Sequence, residues 1–586
     1  MTRETRELAA KSANIIAYDY ETTRIQPGTP RPLYITAFAR NLIHFANSIN
    51  TLKHLQAILR SEFLIDEFQG FKFVAWNANN FDAYFTAAAL VTCEDLVLRP
   101  YLTRNKALRG LRVIKRSDIN NNKAKGWEFL DGIAMLGLVG VSLEKFLNNF
   151  APEHPKLTGA IDFEHEEFDI SNQIHRNYAM QDSIGLWHGL QRAQSILIEK
   201  FNQPLTVTMG GACIKIFKAN IPRDTTIPTP KPEVLRLVRD YVMRGGFCYC
   251  ARRYQGPIWK YDINQAYAAA MREAKLPCGF TQHCKSLPES GVYIARITAT
   301  NPANRIPFYY RSSNAAEKIC SFFSDTRIEN TWLTSIEIEQ LQREHWEIEI
   351  FESYAWQSTF SMVDYVDQLE IGRSRCEGGP SGPIGTMYKM VGNHSYGKTV
   401  EQIDPLEFVI ANKCPEGYTP FYENNGVPID HIFYRFVEDQ RAKNYHQPQL
   451  GAFITAHVRM VVRRAALLNP QAWLYADTDC VVFAADVTDR LDIDAKRYGA
   501  WKIEESGAEY QIIAKKVYAQ LNGSKRSAKG LHVKKLDAND FQEWFDGTPP
   551  VQTQVQRQNF LAVLQGAEMF RAQIRHGTAV EKLRVS

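Results

Sequence analysis

The sequence predicts a multidomain fold of mixed α/β and α+β class, and three observations carry that expectation. Short apolar runs that read as buried strands alternate with helical patterns through the first third of the chain. A polar, Pro/Thr-rich stretch, IPRDTTIPTPKPE (221–233), then breaks the pattern as a linker or domain edge. With 586 residues, 45% of them hydrophobic, the chain is also too long for one compact core.

Taken in order, the apolar run from Asn14 to Ala17 enters YDYET, and FKFVAW (71–76) repeats a short buried strand before a polar turn. A helical pattern from about Ile174 to Phe201 closes this first unit. The second unit opens with YVMRGGFCYC and with IWKYDINQAYAAAM, a strand that turns helical. Two polar, turn-rich stretches, 276–330 and 401–449, read as insertions within the second unit rather than as core. Near the end, LYADTDCVVF (474–483) puts two acids and a threonine between strand-like runs, and KKVYAQLNGSKRSAKGLHVKK (515–535) gathers cations.

The formal charge is only +5, so an anionic partner has to be held by local clusters of Lys and Arg rather than by a general positive field. Ten cysteines are scattered without a CxxC pair, which argues against a zinc site and for reduced thiols. MTRETRELAAKSANIIAYDYET has no signal-peptide core, and no apolar run approaches the roughly 18 residues of a membrane span. The expectation is a cytoplasmic chain, in the host cell if phage-encoded, neither secreted nor inserted in a membrane.

Two sets of acids carry the chemistry. Asp19 and Glu21 are two apart on the first strand and so share a face. Asp82, in NANNFDAYF, follows an apolar strand, and Tyr178 and Asp182 lie at i and i+4 of the long helix. Four acids and a phenol can converge, and hard oxygen ligands of this kind suit Mg²⁺ or Mn²⁺, a pair of which can activate water against a phosphodiester.

In the second unit Asp262 ends an apolar strand, with Tyr267 five residues on where the pattern turns helical. In GTMYKMVGNHSYGKT, Lys389, Asn393 and Tyr396 fall at i, i+4 and i+7, a helical stripe suited to a nucleotide's phosphates and base. Thr455 and Arg459 in FITAHVR repeat the i, i+4 pattern with a pair suited to DNA phosphates, and Arg463 extends it. Lys516 and Tyr518 alternate as on a strand and share a face. Asp477 and Asp479 are either an ordinary polar hairpin turn or a metal-binding one; the surrounding elements favour metal.

The first set resembles, in order, the three motifs of DnaQ-like 3′–5′ proofreading nucleases: D-x-E, N-x(2–3)-F/Y-D and Y-x-x-x-D. The resemblance implies that Asp19, Glu21, Asp82 and Asp182 are metal ligands, that Tyr178 orients the attacking water, and that Asn77, with Asn79 as a rival, fills the motif's Asn position. It places Thr22 and Phe85 against a frayed single strand. The second set, D-x-x-x-x-Y, K-x-x-x-N-x-x-Y-G, T-x-x-x-R, Y-x-D-T-D and K-x-Y, resembles the ordered motifs of family B DNA polymerases between Asp262 and Tyr518. The linking RGGF (Arg244, Gly245, Gly246) and the two insertions are similar to the protein-primed subgroup of phages with linear genomes and of adenoviruses.

This resemblance implies an RNase H-like exonuclease domain (1–205) followed by a right-hand polymerase. The implied parts are a palm (206–275 and 448–529), fingers (363–400), a thumb (530–586), a terminal-protein-contacting insertion (276–362) and a processivity insertion (401–447). It implies a DNA-directed DNA polymerase with 3′–5′ exonuclease, protein-primed, processive and strand-displacing, with two Mg²⁺ or Mn²⁺ per active site. The ions would sit on Asp262 and Asp479 with Asp477 beside them. Tyr267, Lys389, Asn393 and Tyr396 would hold the deoxynucleoside triphosphate. Arg244, Gly245, Gly246, Thr455, Arg459, Lys516, Tyr518 and Lys529 would hold primer-template DNA. Partners are primer-template, deoxynucleoside triphosphates and a terminal protein, with the chain a monomer.

Several positions depart from the subgroup: NQAYA at the first polymerase motif, His394 for Ser in the second, Met243 for Tyr before the glycines, DGIAML without a Ser/Thr-Leu pair, and Thr158 where a Lys is usual, with Lys156 close by. Two alternatives stay open: an exonuclease whose polymerase half survives only as a DNA-holding scaffold, and a family B polymerase started by a nucleic-acid primer or by none. A noncatalytic DNA-binding module is disfavoured, because seven acids at such positions repel phosphate in the absence of metal.

Overall fold

In the computed structural model, residues 14–121, 123–162, 166–311, 321–401, 405–422, 428–437 and 446–578 are described. The expectations for the first 13 residues, for Phe163, for parts of both insertions and for the last eight residues lie outside them.

A ten-stranded sheet builds the first unit. Its strand Ile15–Thr22 pairs in parallel with Lys72–Ala75 and antiparallel with Pro32–Ala39. Alternation sends Ile15 and Ala17 into one core and Ile16, Tyr18 and Tyr20 into another, so a strand covered on both faces reads as a continuous apolar run. Asp19 and Glu21 continue the Ile15/Ala17 row, toward the long helix Gln173–Phe201 that packs on this strand.

That helix is capped by Asn172 and grooved by two glycines. A Cβ at Gly185 would lie 2.7 Å from Leu147 Cδ1, and one at Gly189 would lie 2.5 Å from the Phe146 ring. Only glycine therefore lets the helix Leu143–Phe150 settle into the groove.

The second unit centres on a seven-stranded sheet in which Tyr254–Ile263 lies between Trp501–Ala514 and Cys480–Phe483. The helix Pro448–Ala466 packs beside it, and the core that holds Tyr261, Ile263 and Phe453 also holds Ile15 and Leu186 of the first unit. One apolar core is thus shared by both halves.

The two stretches read as insertions have more structure than their polar composition suggests. Four strands within 276–360 form a sheet, and Ile297, Phe308 and Leu341 of this stretch share an apolar cluster with Met460 of the helix Pro448–Ala466. The strands Leu406–Ile410, Thr419–Tyr422 and Pro428–Phe436 join the first unit's sheet, with Ile410 opposite Leu98. The hairpin Val551–Arg557/Phe570–His576 also returns to the first unit, where Gly28 and Phe570 exchange backbone hydrogen bonds of 2.8 and 2.9 Å.

Candidate active sites: two carboxylate centres

The first centre forms where the strand, the helix Asp82–Leu90 and the long helix meet. Asp82 and Asp182 are buried, and Tyr178 lies beside them. Burial pushes the Glu21 carboxyl up to about 8, with Asp182 adding to the rise and Lys156 opposing it; burial likewise brings Asp82 to about 7. Asp19 is raised well above the carboxylate range by burial and by Glu21, Asp82 and Asp182. The four acids therefore feel one another's charge. Asp131, not singled out in the sequence, caps the helix Gly132–Leu136, accepts from the Asn79 N–H at 2.9 Å and adds its charge near Asp82.

Lys156 enters this centre. Its ammonium pairs with Asp182 and lies 4.4 Å from the centre of the Tyr178 ring, whereas Thr158 is exposed. The cation that the resemblance expects at Thr158 is thus supplied from two residues earlier, by the lysine noted beside it in the sequence. Asn77 is exposed in a left-handed conformation (φ 68°) and Asn79 is buried, and both face one cleft. Thr22 is half-buried at a strand irregularity and donates to the Thr23 carbonyl. Phe85 contradicts expectation: it is buried at 3% exposure against Tyr20 and Phe81, so its ring packs the core and has no face for a base.

The second centre lies at the ends of three strands. Cross-strand register sets Asp262 opposite Cys480 and Lys502, and the Ile263 N–H donates to the Asp479 carbonyl at 2.9 Å. Thr478 takes φ 62°, a left-handed conformation rare for a β-branched residue. Its N–H donates to the Phe247 carbonyl at 2.8 Å, and its hydroxyl donates to Asp477 Oδ1 at 3.2 Å. Gly246 lies directly against this turn, where a Cβ would stand 2.8 Å from Thr478 Cγ2. The strained turn is thus fixed from outside.

Burial and Asp262 push Asp479 up to about 7. Asp262 is raised by burial, opposed by Lys502, whose ammonium lies 2.9 Å from its Oδ1. Lys516 Nζ holds Asp477 Oδ2 at 2.6 Å. Lys502 was missed because its pairing partner is some 240 residues away and only register brings the two together.

Asp262 and Asp479 line two clefts at once. One, of about 790 Å³, is lined by Tyr267, Lys389, Asn393, Tyr396 and Lys502; the other, of about 860 Å³, by Asp477, Lys516 and Tyr518. The helix Pro383–His394 carries Lys389 and Asn393 but ends before Tyr396; Ser395 and Tyr396 keep helical dihedrals, so the stripe survives. Tyr396 and Tyr267 rings sit 4.8 Å apart. Lys516 and Tyr518 do not alternate along one strand. Lys516 occupies a hairpin turn at φ 60° before the strand Val517–Gln520, and both still face the same cleft. Lys529 is exposed beside that turn, its N–H on the Lys516 carbonyl.

Three expected DNA contacts are corrected. Arg244, Thr455 and Arg459 are each 1% exposed. Glu337 Oε1 receives Arg244 Nη2 at 2.5 Å and Arg459 Nη2 at 2.8 Å, and Arg459 also donates to the Arg244 and Gly245 carbonyls. Thr455 donates to the Ala452 carbonyl. Arg463 is buried as well, paired with Glu344. These side chains brace the Gly245–Gly246 segment from behind, and a guanidinium buried against a carboxylate and backbone carbonyls cannot reach a phosphate. Gly245 itself is exposed.

Among the described residues, no three His, Cys, Asp or Glu side chains are already arranged to hold a metal ion. The donor set nevertheless fits one. Asp182 Oδ1 is buried without a hydrogen-bond partner, Asp19, Glu21 and Asp479 are raised by burial and further by neighbouring carboxylates, and lysine ammoniums cover Asp182 in the first centre (Lys156) and Asp262 and Asp477 in the second (Lys502 and Lys516).

The family described as DNA polymerase type B, organellar and viral, matches residues 153–430. A probable DNA polymerase of Neurospora intermedia is 22% identical over 61% of this chain and 38% of its own length. The DNA-directed DNA polymerase of Enterobacteria phage PRD1 is 25% identical over 57% of this chain and 58% of its own. This chain thus spans well under two thirds of the length of these relatives. Phi29 DNA polymerase, complexed with primer-template DNA and incoming nucleotide, has the same fold: TM-score 0.71 over 96% of this chain and 99% of that one, at 17% identity. The chain is thus similar to organellar and viral type B DNA polymerases over just under half of its length, and it shares the fold of phi29 DNA polymerase across nearly all of it.

Proposed function

We propose that this chain is a DNA-directed DNA polymerase that also removes 3′-terminal nucleotides by hydrolysis. The observation that carries the reading is the shared wall: Asp262 and Asp479 face a cleft of nucleotide-binding character on one side and the Asp477–Lys516–Tyr518 cleft on the other. Lys389 supplies charge at the triphosphate, Tyr267 packs under the sugar and disfavours a 2′-OH, and Lys516 and Tyr518 grip the primer terminus. Asp262 and Asp479, with Asp477 beside them, would hold divalent cations, whose chemistry when bound would be activation of the 3′-OH and charge neutralisation at the leaving pyrophosphate. In the first centre Asp19, Glu21, Asp82 and Asp182 offer the donors for a second pair, with Tyr178 directing water.

Domain limits follow the same reading, with the exonuclease in residues 1–205, the palm in 206–275 and 448–529, the fingers in 363–400 and the thumb from 530. Similarity to the protein-primed subgroup supports initiation on the hydroxyl of a terminal protein docked on the 276–362 insertion, and strand displacement aided by 401–447. Primer extension with Mg²⁺, comparing wild type with Asp479→Ala and Asp19→Ala, tests both activities. Normal extension by Asp479→Ala, or undiminished degradation of unpaired 3′ ends by Asp19→Ala, sinks the reading. Incubation with labelled nucleotide, genome ends and the candidate terminal protein tests priming through appearance of a labelled protein band.

A further inference from the structure

The loop after Ala151 delivers Lys156 to the first centre, and its seat is built on one stripe of the long helix. The His154 ring lies on the His188 ring with centroids 3.8 Å apart and planes 16° from parallel. Gln181 Nε2 donates to the Pro155 carbonyl at 3.1 Å. At Gly185 a Cβ would come 2.8 Å from the His154 carbonyl oxygen, so glycine is what lets the loop approach. Lys156 then meets Asp182 and the Tyr178 ring. Positions 178, 181, 182, 185 and 188 fall at helical spacing on one face, so the contacts that hold the loop and those that receive its lysine belong to one rigid element.

A lysine side chain has four rotatable bonds and finds a fixed point only if its backbone is fixed first. Only Pro155 separates His154 from Lys156, and the turn between Lys156 and Thr158 is closed by the Thr158 N–H on the Lys156 carbonyl at 2.9 Å. The imidazole stack is therefore a side-chain anchor just before the lysine, beside the Gln181 bond to the Pro155 carbonyl. Aromatic rings at this separation hold by packing and need no charge, and Arg40 and Glu153 are the charged groups that face the pair.

We infer that His154 and His188 are positioning residues of the exonuclease, acting through Lys156; this rests on the reading of the first centre as a 3′–5′ excision site. The test follows degradation of a labelled single strand by wild type, His154→Ala, His188→Ala, His154→Phe, His188→Phe, Lys156→Ala and the His154→Ala/Lys156→Ala double variant. Primer extension and thermal melting are measured in parallel. A displacement of the ammonium by about 1 Å costs between roughly tenfold and a hundredfold in rate, so each alanine variant is expected to lose at least about tenfold in excision kcat with KM and extension unchanged. The phenylalanine variants, which keep a ring stack, stay within about twofold of wild type. In the double variant the histidine change adds nothing to the loss from Lys156→Ala, as expected when one residue acts only through the other.

Wild-type excision by His154→Ala, or a loss that multiplies onto that of Lys156→Ala, overturns the inference. So does a phenylalanine variant as slow as alanine. A wild type that leaves 3′ ends intact overturns the excision reading along with it, and is distinguished from the other outcomes by that inactivity.

Discussion

At the residue scale, carboxylates held close together in a partly dry site cost the fold stability when ionised, and the cost has a definite pH window. Asp479 is raised to about 7 by burial and Asp262, against an unfolded value of about 4. The folded state therefore binds the extra proton, and the stability this confers falls as pH rises from about 4 through about 7. In metal-free buffer, Asp479→Asn is expected to melt above wild type, by a margin that grows from pH 4 to 7 and is flat above. Melting curves in chelator across that range check this, and added Mg²⁺ should raise wild type more than the variant. Gly246→Ala probes the turn itself. Its Cβ meets Thr478, so extension should fall by about a hundredfold while excision is unchanged. Steady-state rates on matched and frayed primers separate the two. The acids were legible in the sequence because strand alternation and helical spacing are local. Of their lysines, Lys156 was visible beside Thr158 although only the loop shows that it meets Asp182, whereas Lys502 was not visible, because it reaches Asp262 through strand register.

At the element scale, the helix Pro448–Ala466 shows where a local pattern misleads. A Thr, an Arg and another Arg at spacings of four look alike whether they face a phosphate or a buried acid, and Glu337 lies more than a hundred residues upstream on another element. The helix Ser335–Arg343 delivers that glutamate, held at about 2 by Arg244 and Arg459 against its burial. Two guanidiniums share one carboxylate at full burial, so Glu337→Gln leaves charge uncompensated. It is expected to destabilise by about 3–5 kcal/mol, read as a lower urea midpoint, and to loosen the Gly245–Gly246 segment. Phe85 misled for a related reason: an aromatic one turn after Asp82 points along the helix into the core as readily as out of it. The core strands and the long helix were legible, since their apolar periodicity is what burial requires.

At the scale of the whole molecule, the stretch 405–437, read as an insertion in the second unit, completes the first unit's sheet. Val409, Ala411 and Phe433 share an apolar cluster with Val97, Ile114 and Ile119. Replacing residues 405–437 by a short linker should bare that cluster and make the first unit aggregate or yield to protease, which size-exclusion chromatography and limited proteolysis detect. No single-unit view of the sequence shows this, because about 300 residues separate the partners. The same separation sets a schedule during synthesis. At roughly 5–20 residues per second, the strand Leu96–Leu102 leaves the ribosome about 15 to 60 seconds before Leu406–Ile410. Through that interval it is an open sheet edge, the kind of surface on which nascent chains pair with one another. Pro100, which has no N–H to donate, and Arg99 beside it sit in the middle of that edge, and among the described residues the completed sheet pairs there at Ile410 and Leu98. An edge that must wait some 300 residues for its partner is thus built to be a poor acceptor of a stranger.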